Sequence, residues 1–311
     1  MKTFIRTLTA VALSCVTALS AGAAEQEGAN ALRVATGPKG KGYSRLFADI
    51  QTVCGQRVPL TEVNTTGGLQ NLTALAANQA DLGMAQLDTL QELRGSDDSI
   101  ASLQAVMPLN MNLLHVVAPV DGYNHSSLLK RVSSGFKNRE LIKVSDLRGF
   151  PVAVVGSART LGRVLDRRHG MIWEFVDVET DDQALDKIRK GEVAAMLSTS
   201  GWPNGPVFKL KRNAGMRLLS FDYPVQPPYQ IVRKNYENLD TFNHDFLASP
   251  NLLMTRPFSS GGPHAKAVAA LQACLDQNLT RLQDGAFEPT WRDVRTAGDT
   301  FGWTRFSITK R

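Results

Sequence analysis

Several short stretches of the 311-residue chain put glycines, hydroxyls, amides and charges where an extended run gives way to a helical one. The first is Thr36-Gly37-Pro38-Lys39-Gly40-Lys41-Gly42-Tyr43. Its glycines free the backbone to present N–H groups, and the helix that follows adds its positive end, so an anion fits there. Lys39 and Lys41 strengthen that attraction; the alternative is a solvated Gly-rich turn. The second is Asn64-Thr65-Thr66-Gly67-Gly68-Leu69-Gln70-Asn71. Thr66 is placed to cap the next helix, Gly67 and Gly68 admit a ligand to the backbone, and Asn71 sits one turn in. In the third, Gln86 and Asp88 follow a strand and either face a ligand or, for Asp88, cap their own helix. The fourth, Val155-Gly156-Ser157-Ala158-Arg159-Thr160, ends a buried strand at a helix start. Ser157, Thr160 and free helix N–H groups make a carboxylate cradle there, and Arg159 is able to close a bidentate pair or to point outward. In the fifth, Ser198 to Pro203, Trp202 is either a wall of the same cleft or core filler.

The same residues exclude several chemistries. The first loop lacks the Gly-Lys-Ser/Thr ending of a P-loop, and Gly40 and Gly42 are followed by Arg45 rather than by the third glycine of a dinucleotide fingerprint. Ser157 lacks the Gly-x-Ser-x-Gly elbow. The five histidines form no His-Glu-x-x-His pair or other close metal pair. The reading is therefore a binding protein rather than an enzyme, with no cofactor and no metal.

Elements that hold these loops read as alternating short strands and helices. Strands are expected at 32–35, 58–63 and 81–85, with helices at 43–54, 69–78 and 86–94. Two extended runs broken near Pro108 occupy 103–120. A second series follows: strands at 152–155, 173–178, 193–197 and 216–220, helices at 158–168, 182–189 and 204–212. Helical spacing returns at 236–246 and 263–282. Two βα series separated by a long extended run predict two α/β lobes with a cleft between them, the late helices completing the first lobe. Ligands of such sheets lie beyond the carboxyl ends of the strands, where all five loops fall.

The chain is long enough to fold on its own core. Its 35 Lys and Arg against 29 Asp and Glu give a net charge of +6, mild and dispersed, which does not indicate nucleic acid. Lys2 and Arg6, the apolar run 8–19 and Ala21-Gly22-Ala23-Ala24 form an export signal, with the mature chain starting at Ala24 or Glu25. Of the three cysteines, Cys54 and Cys274 remain after removal of that signal. Each lies in a helical stretch, and the sequence leaves both a bridge and two buried thiols open.

The order and wording of the loops resemble the TAXI family of solute-binding proteins from tripartite ATP-independent periplasmic (TRAP) transporters. The resemblance rests on Thr36, Gly37, Gly42 and Tyr43; on Thr65, Gly67, Gly68 and Asn71; and on Gln86 and Asp88. It continues through Asp146-Leu147-Arg148-Gly149, then Gly156, Ser157 and Thr160, then Gly201, Trp202 and Pro203, and covers 32–220. The resemblance implies a type II periplasmic-binding-protein fold: an α/β, two-lobed chain with a central ligand cleft. Residues 1–24 would be the signal peptide, 25–118 with 221–311 the first lobe, and 119–220 the second. It further implies a periplasmic monomer that delivers a small organic anion, a carboxylate or amino-acid-like molecule, to the membrane subunits of a secondary transporter. Lobe closure would turn on hinges near Ala118 and Ser220.

The chain also departs from that family. Gly68 stands where a serine is usual, which removes a hydroxyl from the pocket. Arg159 stands where a glycine is usual, and Lys39 and Lys41 add positive charge. These departures favour an anion carrying more than one charge over plain glutamate. Residues 121–140 and those after Gly261 fit the family poorly.

Overall fold

The computed structural model describes residues 31–125, 131–132, 137–295 and 297–308. The expected export signal lies outside these residues.

Two βα series are present. The first runs β1 (Leu32–Gly37), α1 (Gly42–Cys54), β2 (Leu60–Asn64), α2 (Gly68–Ala76), β3 (Leu82–Gln86), α3 (Leu87–Arg94) and a single turn, α4 (Asp98–Ala101). A strand of sixteen residues, β4 (Gln104–Pro119), leads away from it. The second series is β5 (Pro151–Val155), α5 (Ala158–His169), β6 (Glu174–Val178), α6 (Asp181–Arg189), β7 (Ala195–Ser200), the short α7 (Gly205–Phe208) and β8 (Met216–Leu218). The chain then returns through β9 (Gln230–Tyr236) and β10 (Thr241–Thr255) to a closing helix, α8 (Pro263–Leu282).

All strands join one sheet, in the order β2-β1-β3-β10-β4-β7-β5-β6, with β8 on β4 and β9 on β10. Pairing is parallel within β2-β1-β3 and within β7-β5-β6. The central strands β10 and β4 run antiparallel to each other and to β3 and β7. Two parallel triads are thus held together by two long antiparallel strands. β4 is buried along its interior and β10 from Phe246 onward, where the two strands form the middle of the sheet.

Each triad carries its own apolar packing. Leu46, Phe47, Ile50 and Cys54 put one face of α1 against Leu32, Val34 and Met84, and Val268, Leu271 and Leu275 of α8 join them. Cys54 and Cys274 are bonded as a disulfide, Cα to Cα 6.0 Å, which settles the pairing in favour of the bridge and pins α8 to α1. Beside the second triad, Leu161 and Leu165 of α5 pack with Val152, Val154 and Leu197. Ala184, Leu185 and Ile188 of α6 pack with Ala153 and Met196 on the other face. No helix among the described residues is long and apolar enough to cross a membrane.

Three expectations need correction. The run 103–120 is one strand, not two: Pro108 lies opposite Leu252, and a register shift between Pro250 and Leu252 absorbs the missing donors. The helix expected at 236–246 is instead the end of β9, a 3₁₀ turn and the start of β10. Asp240 and Asn243 take positive φ there (51° and 48°), a conformation that breaks a helix and suits their short polar side chains. The helix expected at 204–212 is only the four-residue α7, capped by Asn204.

Candidate functional site

The inner ends of the two triads meet over the centre of β4 and β10. Asn110 and Asn112 on β4 and Ser249 and Asn251 on β10 are buried there. From α1, Tyr43 donates its hydroxyl to Asn251 Oδ1 at 2.6 Å, and Asn251 Nδ2 donates to Asn110 Oδ1 at 3.0 Å. At the end of β3, Gln86 Oε1 accepts from Asn112 Nδ2 at 3.0 Å, while its Nε2 donates to Asp88 Oδ2 at 3.1 Å. Ser157, at the start of α5, reaches Gln86 Oε1 at 3.5 Å and Thr199 Oγ1 at 2.8 Å. Polar contacts thus run from the first triad, across the central strands, to the second.

Asp88 carries the charge of this network. It is 1% exposed, and its other oxygen accepts the Thr89 N–H at 2.9 Å in the first turn of its own helix. Among the described residues no cationic side chain pairs with it. Burial pushes its carboxyl up to about 7, against hydrogen bonds from Thr89 and Gln86 that favour the charged form. Burial also raises the Tyr43 hydroxyl, and the Asp88 charge adds to that rise. Both phenol and carboxyl thus favour their neutral forms at this site.

The remaining residues of the first three loops stand around this centre with varied engagement. Thr36 is fully buried and spends its hydroxyl on Glu62 Oε1 at 2.8 Å. Gly37 takes φ of +110°, a conformation that favours glycine, and its backbone lies beside Gly67 of the second loop. Gly68 is buried against Ala85 and Gln86. Asn71 uses both ends of its amide, accepting from Thr65 Oγ1 at 2.5 Å and donating to the Met84 carbonyl at 2.7 Å, which ties α2 to β3. Thr66 does not cap α2: Gly67 holds that position without a side-chain bond, and the Thr66 N–H donates to Gln70 Oε1 at 2.6 Å. Lys39 and Lys41 are exposed. Lys41 is near enough to the Asp181 carboxyl, at the start of α6, to lower it against the stronger upward push of burial.

In the second triad, Gly156 takes φ of +54° and turns the chain into α5, whose first turn holds Ser157, Arg159 and a half-buried Thr160. Arg159 forms an ion pair with Asp177 on β6, on a partly exposed surface. Trp202 is half-buried against the core that includes Tyr236, and the Lys234 ammonium lies 5.1 Å from its ring. Its indole N–H is buried without a partner. Gln86, Asp88 and Ser157 are therefore drawn into one network, with Tyr43 bonded to Asn251 beside it, whereas Lys39, Lys41, Thr66, Arg159 and Trp202 are engaged elsewhere or face solvent. The sequence reading missed Asn110, Asn112 and Asn251. Their signal is the alternation Asn110-Met111-Asn112 inside an apolar strand, where each buried amide requires a partner.

Among the described residues, no three His, Cys, Asp or Glu side chains group in a way that would hold a metal ion. No protein-family model matches the chain, and a search of curated proteins finds no match. Solved structures do match. The structure of Tv2483 bound to L-arginine is similar at a TM-score of 0.55 and 12% identity, over 88% of this chain and 96% of that one. An ancestral arginine-binding protein bound to arginine is similar at 0.51 and 13%, over 86% and 98%. At such identity the likeness concerns the fold. The chain has the mixed α/β architecture of type II periplasmic-binding proteins.

Proposed function

We propose that the protein is a periplasmic solute-binding protein that captures a small organic anion, a carboxylate or amino-acid-like molecule, and hands it to TRAP-type membrane subunits. Residues 25–118 with 221–311 act as one lobe and 119–220 as the other, with β4 and β10 passing between them. The observation that carries this reading is the network from Asp88 and Gln86 to Ser157 and Thr199, which crosses from the first triad to the second, with Tyr43 bonded to Asn251 beside it. In an α/β sheet that is where ligands bind. The similarity in fold to proteins solved with arginine supports a small organic ligand.

The scheme is closure. Ser157 and Asn112 both hydrogen-bond Gln86 Oε1 when the lobes are closed, and opening frees these amides and the hydroxyl for a ligand. The first turn of α5 contributes Thr160 and backbone N–H groups. Gly37, Gly67 and Gly68 bring the facing backbone close. Lys39 and Lys41 add long-range attraction for an anion. Arg159 joins the ligand only by exchanging its contact with Asp177. No bond is made or broken.

The test is thermal unfolding of protein stripped of carried-over ligand by unfolding and refolding. The panel comprises amino acids, dicarboxylates, keto acids, phosphonates and sugars. A true ligand at a hundred times its dissociation constant adds about 2.7 kcal/mol of apparent stability. A panel that leaves the midpoint unmoved would overturn this reading.

A further inference from the structure

The stretch 121–140, which fits the TAXI resemblance poorly, builds a second cavity with the residues ahead of β5. It measures about 250 Å³ and is lined by Tyr123, His125, Lys137, Arg139, Arg148 and Phe150 among others. Two arms frame it. Tyr123 and Arg139 pair antiparallel, each N–H donating to the other's carbonyl, at 2.9 and 2.8 Å. Asn124 Nδ2 donates to the Lys137 carbonyl at 3.0 Å, and Asn138 Nδ2 to the Asp121 carbonyl at 3.1 Å. Gly122 permits that pairing: at its φ of +74° a Cβ would stand 2.3 Å from the Arg139 carbonyl oxygen. Gly149 and Phe150 lead into β5, whereas Gly156 and Ser157 follow its other end. The length of that strand, about 16 Å, therefore stands between this cavity and the candidate site.

The cavity sorts its side chains by depth. Tyr123 and Phe150 are buried, and with His125 they form a cluster of rings whose centres lie 5.3, 5.1 and 6.0 Å apart. Lys137, Arg139 and Arg148 are exposed around it. Arg139 lies over the Phe150 ring, 5.7 Å from its centre, and Arg148 Nη2 donates to the His169 carbonyl at 2.9 Å. Among the described residues none of these three cations has an ion-pair partner, and no acidic side chain lines the cavity. Glu140 and Asp146 are spent elsewhere. The first pairs with Arg217 at 3.6 Å, and the second accepts the N–H groups of Ile142 and Lys143.

Three uncompensated cations over an aromatic base suit an anion with more than one charge and a flat apolar face. Guanidinium groups hold carboxylate or phosphate oxygens through paired N–H groups, and the rings cover a planar body. The volume is below the roughly 300–1,000 Å³ of pockets that enclose drug-sized molecules, which limits the ligand to a compact one. We propose that this cavity is a second binding site, separate from the cleft, for a compact aromatic dianion: a ring carrying one phosphate monoester or two carboxylates. Lys137, Arg139 and Arg148 receive the charge, and Phe150 with Tyr123 receives the ring. The site stands on its own side chains and does not rest on the solute-binding reading.

The experiment is a titration of the isotope-labelled protein, followed through its amide NMR signals, with phenyl phosphate, phthalate, benzoate and inorganic phosphate. Phenyl phosphate or phthalate should move the signals of Gly122, Asn124 and Gly149 together. The better of the two names the charged group. Read at those signals, it should bind at least about tenfold more tightly than benzoate, which has one charge, and than inorganic phosphate, which has no ring. Arg139→Gln and Arg148→Gln should each weaken it about tenfold with the rest of the spectrum in place, whereas Ser157→Ala in the cleft should leave its affinity unchanged. Benzoate or inorganic phosphate binding as tightly as the better dianion, arginine variants of wild-type affinity, or a panel that leaves the three signals unmoved would overturn the inference. The signals of Gln86 and Asp88 report the cleft in the same spectra, so the two sites stand or fall separately.

Discussion

The two triads bring different resources to the place where they meet. The β2-β1-β3 side supplies the buried charge of Asp88, the phenol of Tyr43 and the amide of Gln86, and its outer layer is stapled by the Cys54–Cys274 disulfide between α1 and α8. The β7-β5-β6 side supplies the neutral hydroxyls of Ser157 and Thr199, and its charged residues near α5 form surface pairs, Arg159 with Asp177 and Arg167 with Glu92. One side is covalently braced and holds an unneutralised carboxylate. The other has no disulfide among its described residues; its α5 arginines pair on the surface, where pairs contribute little, and its one carboxyl pushed up by burial is Asp181 on α6. The difference lies in bracing and in the depth of the charge: the most deeply buried carboxyl of the candidate site, Asp88, sits on the disulfide-braced side.

Removing the brace should have the largest effect. The Cys54→Ser, Cys274→Ser double variant should lose about 2–5 kcal/mol in urea unfolding, because the bridge closes a very long loop. Amide exchange should quicken in α1 and α8 and stay unchanged in α5 and α6. Equal quickening on both sides would break the asymmetry.

The buried charge comes next. The folded-state value of Asp88 is raised to about 7 from 3.8, so between those values the folded protein holds a proton that the unfolded chain has released. Stability must therefore fall as pH rises from about 4 to about 7, by up to about 4 kcal/mol from this group. His115, pushed down to about 3 by burial, works in the opposite direction, costing stability as pH falls below 6.5. The difference between wild type and Asp88→Asn isolates the carboxyl. Near pH 4 it should be small, and by pH 7 the wild type should have lost ground to the variant. A flat difference across this range would remove the unneutralised charge from the account.

Smaller effects sharpen the contrast further. Tyr43→Phe leaves Asn251 Oδ1 without its donor and should cost about 1–3 kcal/mol in thermal or urea unfolding. Arg159→Ala on the other side breaks only a partly exposed pair and should stay within about 1 kcal/mol in the same assay.

Much of the architecture was legible in the sequence because the βα units are short and strongly patterned. The buried set Leu46, Phe47, Ile50 and Cys54 marks α1 at helical spacing, and Ala265, Val268, Leu271 and Leu275 mark α8. The stretch 236–246 misled because Tyr236, Leu239 and Phe246 repeat at a helical interval. Its burial instead alternates at its end, with His244 and Phe246 inside and Asp245 between them, as pairing to β9 demands. The loops of the candidate site could be placed from glycine and hydroxyl signals at strand ends. Which side chains converge could not, because Tyr43 and Asn251 are 208 residues apart and meet only through the antiparallel return of β10. Which way Arg159 turns, toward a ligand or outward, could not be read locally either, because its ion-pair partner Asp177 lies on the neighbouring strand.

The central claim is that one ligand is gripped from both triads at once. Hydrogen exchange measures this directly, with and without the panel compound that raises the unfolding midpoint most. The account predicts added protection together at 67–71 and 86–89 on one side and at 157–161 and 198–200 on the other. Protection confined to one side would contradict it.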